Sequence, residues 1–282
     1  MRIFPNFVES IPSAMSELIT SPQNARIKNL LLLQQKSRER KKQNLVVVEG
    51  LREIRIAVEN GFSISELYFC PEIGDRRSFS FLTPEARLTE VSQSVFEKLA
   101  YRDGSDGFIA LLRPRWLSLS NVVLRPDPLI LILESVEKPG NLGAVLRTAD
   151  AARLDAVIVC DPLTDIYNPN VIRSGVGCVF SQQVVACTTA EAQQWLREKN
   201  IRTFAAELQA SSPYHQHNYL GATAFVMGTE ADGLTKNWIG FCDERIIIPM
   251  LGSIDSLNVS VSAAILVFEA MRQRGFETQN PR

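Results

Sequence analysis

The strongest constraint on this chain is a set of short apolar runs in its second half. They lie at 129–134 (LILILE), 156–160 (AVIVC), 183–186, 202–206, 224–227 and 245–248. Each has strand length and little polar alternation, and helical stretches at 143–152, 190–198 and 259–274 fall between or after them. A strand that is apolar on both sides must be covered on both faces, so the expected architecture is α/β with a mostly parallel sheet. No run approaches the roughly 18 apolar residues of a membrane span.

The first half reads as a smaller α/β module. A Ser/Pro entry at 21–22 leads into a helical face of Ile27, Leu30, Leu31 and Leu33. Strands follow at 45–48, 64–69, 87–91 and 107–112, with helices near 51–60 and 94–100. The stretch 113–128 has three prolines and no helical period, which marks a connection. The expected organisation is an extension (1–18), a first domain (19–113), a linker (114–127), a larger domain (128–274) and a tail (275–282). A length of 282 residues suits two such domains.

Thirty Lys and Arg against thirty-one Asp and Glu exclude a globally basic surface of the histone type. The neutral total hides a local excess, because 26–42 holds seven basic residues (Arg26, Lys28, Lys36, Arg38, Arg40, Lys41, Lys42) against the single acid Glu39. Such a cluster suits phosphate contacts. Five scattered Cys without a CxxC pair, and only two His, favour neither a zinc site nor a disulfide framework. The expectation is a soluble, cytoplasmic protein with no metal and no membrane partner. His215 and His217 are expected to be solvated loop residues.

Three segments carry polar groups at strand-to-helix junctions. In the first, a strand feeds the loop Pro139–Gly140–Asn141 and a helix, which suggests free backbone N–H groups near Asn141 to Gly143 for an anion or ribose, with Arg147 one turn along. The pattern is G-x-x-G, neither the dinucleotide fingerprint nor Walker A. In the second, Met227 and Gly228 end a strand and Glu230 and Gly233 precede a helix, placing an acid at the carboxyl end of the sheet. In the third, a strand meets Pro249, crosses a loop with Gly252, and enters a long helix through Asp255, Ser256 and Asn258.

NLGAVLRTA, MGTEADGL and IPMLGSIDSLNVSVSAAI, in this order and spacing, closely resemble the three motifs of the SpoU/TrmH family of RNA ribose methyltransferases, within the SPOUT superfamily. ITSPQNARIKNLLLL, VVVEGLREI and DGFIALL are similar to the family's N-terminal substrate-binding module, a ribosomal-protein-like RNA-binding fold. The resemblance implies a trefoil-knotted domain, S-adenosylmethionine as cofactor in a bent pose, and a homodimer whose active site draws on both subunits. It implies transfer of a methyl group to a ribose 2′-OH of RNA, with large-subunit rRNA favoured over tRNA; a non-catalytic RNA-binding factor is the alternative of a different class.

By the same resemblance Asn141, Arg147, Glu230, Ser256 and Asn258 are catalytic. Met227, Gly228, Ile248, Pro249, Met250, Leu257 and Asn258 bind cofactor. Asn24, the seven basic residues above, Arg173 and Ser174 bind RNA. A guanidinium does not readily give up its proton, so Arg147 is expected to stabilise the developing alkoxide while an RNA phosphate or water takes the proton. Two positions depart from the family pattern: Ala231 stands where Gly is usual, and Asp106 where Gln is usual.

Overall fold

The computed structural model describes residues 17–79, 86–101, 104–209, 212–229 and 232–276. They divide into two compact units, one ending at Arg115 and also holding Tyr167–Pro169, the other comprising Trp116–Ile166 and Asn170 onward.

The first unit contains β1 (Glu17–Ile19), α1 (Ala25–Gln35), α2 (Ser37–Gln43), β2 (Val46–Glu49), α3 (Leu51–Glu59), β3 (Ile64–Phe69), β4 (Arg87–Val91), α4 (Gln93–Leu99) and β5 (Phe108–Leu112). Its five-stranded sheet has the order β1-β4-β3-β5-β2. β5 runs antiparallel to both of its neighbours, whereas β1 and β3 lie parallel to β4. β5 is buried along its whole length, and α1 packs Ile27, Leu30 and Leu33 into the same core. The expected extension 1–18 needs correction at its end, because Glu17 and Leu18 pair with Thr89 and Glu90 as an edge strand; residues 1–16 lie outside the described residues. The departure at Asp106 has a local purpose. Its carboxylate accepts from the Leu51 N–H at 2.7 Å, capping α3 where Gly50, at φ +104°, offers no side chain.

The second unit contains β6 (Leu129–Glu134), α5 (Pro139–Ala151), β7 (Ala156–Cys160), α6 (Pro169–Ser174), α7 (Cys178–Ser181), β8 (Val184–Cys187), α8 (Thr189–Glu198), β9 (Arg202–Ala206), β10 (Ser212–Pro213), β11 (Thr223–Met227), α9 (Lys236–Phe241), β12 (Glu244–Ile247) and α10 (Val259–Gln273). Its sheet runs β10-β12-β9-β11-β6-β7-β8, and each neighbouring pair is parallel. β6, β7 and β11 are buried at every residue, as strands covered on both faces must be. The segment expected as a linker is packed: Leu119, Val122 and Leu124 lie against the core of this unit, and the Gln183 amide bonds both the N–H and the C=O of Val123.

His217 is likewise not a solvated loop residue. Its ring packs edge-on against Phe204, lies 2.7 Å from Ser212 Oγ through Nε2, and pairs with Glu244 through Nδ1. Burial, then the nearby Arg202, holds its pKa below the usual value. His215 is exposed, as expected. No helix among the described residues is long and apolar enough to cross a membrane.

Asp155 anchors the entry of β6. Its side chain is 2% exposed and accepts from Leu129 N–H at 2.8 Å, from Arg125 N–H at 2.9 Å and from the Arg125 guanidinium at 2.8 and 3.0 Å. Burial pushes its pKa up, but these hydrogen bonds outweigh it and hold the carboxyl below its ordinary range. The contribution to stability is therefore intact above the unfolded-state value near pH ~4 and is lost as the pH falls through the lower folded-state value. Asp155→Ala should cost about 2 to 3 kcal/mol in urea unfolding at pH 7, and progressively less as the pH falls below the unfolded-state value of ~4. A pH-independent difference would refute this assignment.

Candidate active site

The polar groups of the second unit gather at the carboxyl ends of its central strands, the expected place for a ligand in a parallel α/β sheet. β11 ends at Met227, and Gly228 follows where the chain passes over itself. A Cβ at Gly228 would stand 2.0 Å from the Gly233 carbonyl, so only glycine permits this crossing. Thr229 and Gly233 exchange backbone hydrogen bonds of 3.1 Å each, and Gly233 takes φ +68°. Glu230 and Ala231 lie outside the described residues.

The far end of this loop is fastened by a residue that sequence reasoning had treated only as the end of a strand. Glu134, the last residue of β6, is 4% exposed. Its carboxylate accepts from Thr235 N–H at 2.8 Å and from Thr235 Oγ1 at 2.7 Å. The signal was present in the sequence: a charged residue ending an otherwise apolar run needs a buried partner.

On the neighbouring helix the expectation of free N–H groups near Asn141 to Gly143 is corrected. α5 begins at Pro139, and the N–H groups of Asn141 and Leu142 are already bonded to Lys138 O. The second glycine of G-x-x-G is a packing residue, since a Cβ at Gly143 would fall 1.9 Å from Ser174 Oγ and 2.7 Å from Gly175 N. Ser174 donates to Asn170 O at 2.6 Å and sits against α5, so its role here is structural. Arg173 is exposed, with one guanidinium nitrogen 3.3 Å from Asn170 Oδ1.

Asn141 and Asn258 meet across 117 positions of sequence. Asn258 Nδ2 donates to Asn141 Oδ1 at 3.2 Å, while Asn258 Oδ1 caps α10 by accepting from Ser260 N–H at 3.0 Å. The first and third motif segments are thereby joined. Ser256 is exposed and donates to Asp255 Oδ1 at 3.0 Å. Arg147 is exposed on α5, one turn beyond Gly143, with no hydrogen bond or ion pair among the described residues.

Beside this junction lies a cavity of about 420 Å³, within the ~300 to 1,000 Å³ range of small-molecule sites. Met227, Gly228, Ile248, Met250, Ser256 and Leu257 line it, together with Leu234, Ile239 and Ile246. Pro249 is exposed between its two lining neighbours, and Asn258 turns to Asn141 instead. Sequence reasoning missed the wall built by Ala206 at the end of β9 and by Glu207, Leu208 and Gln209 after it. Its signal lies in the pairing of β9 with β11, whose adjacent parallel strands end at the same edge, and not in any local sequence pattern. The lining combines a broad aliphatic slot with loop backbone and a few polar side chains, which fits a flat heterocycle carrying a polar tail. No group of three or more His, Cys, Asp or Glu able to hold a metal is found among the described residues.

The basic cluster of the first unit divides in two. Lys28, Lys36, Arg38, Lys41 and Lys42 are exposed. Arg40 needs correction: it is 4% exposed and donates to Leu33 O at 2.7 Å and Gln34 O at 3.2 Å, closing the end of α1. Arg26 is corrected likewise, since it pairs with Glu66, bonds Thr89 Oγ1 and lies 5.7 Å over the Tyr68 ring. Asn24 is the cap of α1, accepting from Arg26 N–H at 2.9 Å.

Residues 128–268 match the SpoU rRNA Methylase family and residues 24–110 the MRM3-like substrate binding domain. The chain belongs to the SpoU rRNA methylase family. It is 34% identical over 221 residues, covering 75% of this chain and 90% of the relative, to the 23S rRNA (guanosine-2′-O-)-methyltransferase RlmB of Bordetella pertussis. With the RlmB of Escherichia coli it shares 37% identity over 198 residues, covering 65% of this chain and 82% of that protein. A crystal structure of an RNA 2′-O ribose methyltransferase superimposes with TM-score 0.81 at 39% identity, covering 91% of this chain and 99% of the other. An AdoMet-bound rRNA methyltransferase from Sinorhizobium meliloti does so with TM-score 0.84 at 25% identity, covering 91% and 98%.

Glu134→Ala leaves the Thr235 N–H and hydroxyl buried without an acceptor and should lower urea stability by about 2 kcal/mol. Glu134→Gln, whose amide oxygen still accepts, should lose less. Equal unfolding midpoints for wild type and both variants would show that the clamp contributes nothing.

Proposed function

We propose that this protein transfers a methyl group from S-adenosylmethionine to a ribose 2′-OH of RNA, with a guanosine of 23S rRNA as the target, by analogy with its RlmB relatives. The observation that carries the reading is the Asn141–Asn258 bridge, which joins the first and third motif segments beside a cavity lined by the second and third. Bound S-adenosylmethionine supplies an electrophilic methyl group on a sulfonium. The chain's share is orientation and charge. Met227, Gly228, Ile248, Met250 and Leu257 form the slot for the cofactor. Asn258 and Asn141 fix the loop that faces the ribose, with Ser256 on the same loop.

Arg147 stabilises the alkoxide as the 2′-OH loses its proton to an RNA phosphate or water. At an effective dielectric near 20, a cation about 4 Å from a full negative charge is worth about 4 kcal/mol, or roughly three powers of ten in rate. Glu230 would orient Arg147 through a charge-assisted pair. The Cys242 thiol is a poor substitute for such chemistry: burial pushes its pKa up to about 12, which keeps it protonated.

Three further features belong to the same reading. The C-terminal domain carries the trefoil knot that the family resemblance implies. The protein acts as a homodimer in the cytoplasm, its subunit interface formed by the stripe of Val261, Ile265 and Phe268 on α10, of which Val261 is 46% and Phe268 41% exposed. Spacings of four and three place these side chains on one helix face. Lys28, Lys36, Arg38, Lys41, Lys42 and Arg173 bind RNA phosphates.

The reading is tested by mapping ribose methylation in 23S rRNA from cells with and without the protein, where one guanosine should lose its mark; an unchanged map rejects it. Arg147→Ala should keep cofactor affinity within about threefold while methyl transfer falls at least about a hundredfold, since the interaction grows only as alkoxide charge develops. Single-turnover rates decide this. Neutralising Lys36, Arg38, Lys41 and Lys42 together, while sparing the structural Arg40, should reduce the log-log salt slope of RNA binding by roughly 0.7 to 0.9 for each phosphate left without its cation. Parallel slopes would mark the cluster as a solvated face.

A further inference from the structure

Methyl transfer by these groups leaves one charged wall of the cavity without a task. Glu207 is the first residue after β9, and its N–H donates to Ile246 O at 3.1 Å, which fixes its position between the ends of β9 and β12. Its side chain is 10% exposed, and the residue lines the cavity. Of its carboxylate atoms, Oε1 is buried without a hydrogen-bond partner. Arg245 Nη1 stands 3.2 Å from that atom, near enough to balance the charge but without the alignment of a hydrogen bond. With Oε1 enclosed beside Arg245 and no side-chain hydrogen bond to the carboxylate among the described residues, the remaining acceptor capacity of Glu207 suits neutral O–H donors better than a second cation.

We infer that Glu207 receives the ribose hydroxyl groups of the adenosyl ligand, acting as the residue that selects a cis-diol; this rests on the reading of the cavity as the cofactor site. Three observations converge on the diol. A carboxylate at the carboxyl end of a parallel strand is placed as an acid that bonds a nucleotide ribose in other open α/β sheets. Arg245, already 3.2 Å away, repels the α-ammonium of a methionine moiety, whereas hydroxyl donors add bonds without adding charge. Met227, Leu234, Ile239 and Ile246 line the same cavity as an apolar slot able to hold a purine, with Glu207 at its polar wall.

The test is calorimetric titration of the full chain, as wild type, Glu207→Gln and Glu207→Ala, with three probes: S-adenosylhomocysteine, 5′-methylthioadenosine, which lacks the amino-acid tail, and 3′-deoxy-S-adenosylhomocysteine. Thermal melting of each variant without ligand controls for folding. The expected result is that Glu207→Ala binds S-adenosylhomocysteine and methylthioadenosine at least about tenfold more weakly than wild type, with Glu207→Gln between them. Wild type should discriminate against the 3′-deoxy probe by a similar factor, and Glu207→Ala should lose that discrimination. Should Glu207→Ala weaken S-adenosylhomocysteine but leave methylthioadenosine unchanged, the carboxylate serves the ammonium and the inference is overturned. Equal binding of all probes by wild type and variants overturns it too. If wild type holds none of the three probes, the reading of the cavity itself fails, an outcome distinct from a loss confined to the variants.

Discussion

The parallel sheet of the second unit leaves almost no freedom in where chemistry can occur. β6, β7 and β11 are buried on every residue, so any polar side chain within them would need a partner that the core does not provide. Polar groups are thereby confined to the strand ends. At one end, Asp155 secures the start of β6; at the other, Glu134 holds Thr235. These two carboxylates bracket the same strand and are both satisfied by hydrogen bonds, which is how the sheet tolerates charge at its margins. The cavity and the Asn141–Asn258 bridge lie at the second end. The site therefore follows from the burial pattern as much as from the motif residues themselves.

What the sequence made legible was what repeats with a period or closes with a fixed residue type. Apolar runs gave the strands of the parallel sheet, and Met227 and Gly228 were legible as the end of one of them, without the reason why glycine stands there. The structure supplies the reason as a 2.0 Å conflict for any side chain at Gly228. The first unit was less legible because charge alone does not tell a solvated cation from one that completes a helix. Arg38 and Arg40 are two residues apart in one basic run, yet Arg38 is exposed and Arg40 is buried against the last carbonyls of α1. Only the turn between α1 and α2 decides which is which. Gly143 misled in the opposite direction: a glycine near a helix start suggested a ligand, whereas the constraint is the approach of α6. The edge strand β1 and the wall after β9 depend on pairing between segments far apart in sequence, which no local pattern carries.

The same distinction separates the residues that build the site from those available for reaction. Asn258 uses its Oδ1 to cap α10 and its Nδ2 to hold Asn141, so it is part of the frame. A substitution there would disturb a helix end and a loop junction together, and a loss of activity would not by itself assign it a chemical role. Arg147 is different, with no hydrogen bond or ion pair among the described residues. Its removal breaks nothing in the frame, which makes it the cleaner probe of transition-state charge.

That freedom also sets a condition on Arg147. In bulk water a cation and an anion about 4 Å apart interact by only about 1 kcal/mol, against about 4 kcal/mol at an effective dielectric near 20. Exposed as it is on α5, the guanidinium can supply less than one power of ten in rate; covered, it can supply roughly three. The covering surface must come from RNA or from a second copy of the chain. In the proposed homodimer the covering copy would lie on the apolar stripe of α10, the helix that packs against α5. On the proposed homodimer, assembly becomes part of the electrostatics: the Arg would reach its full strength only with RNA and partner excluding water, which would tie methyl transfer to bound RNA.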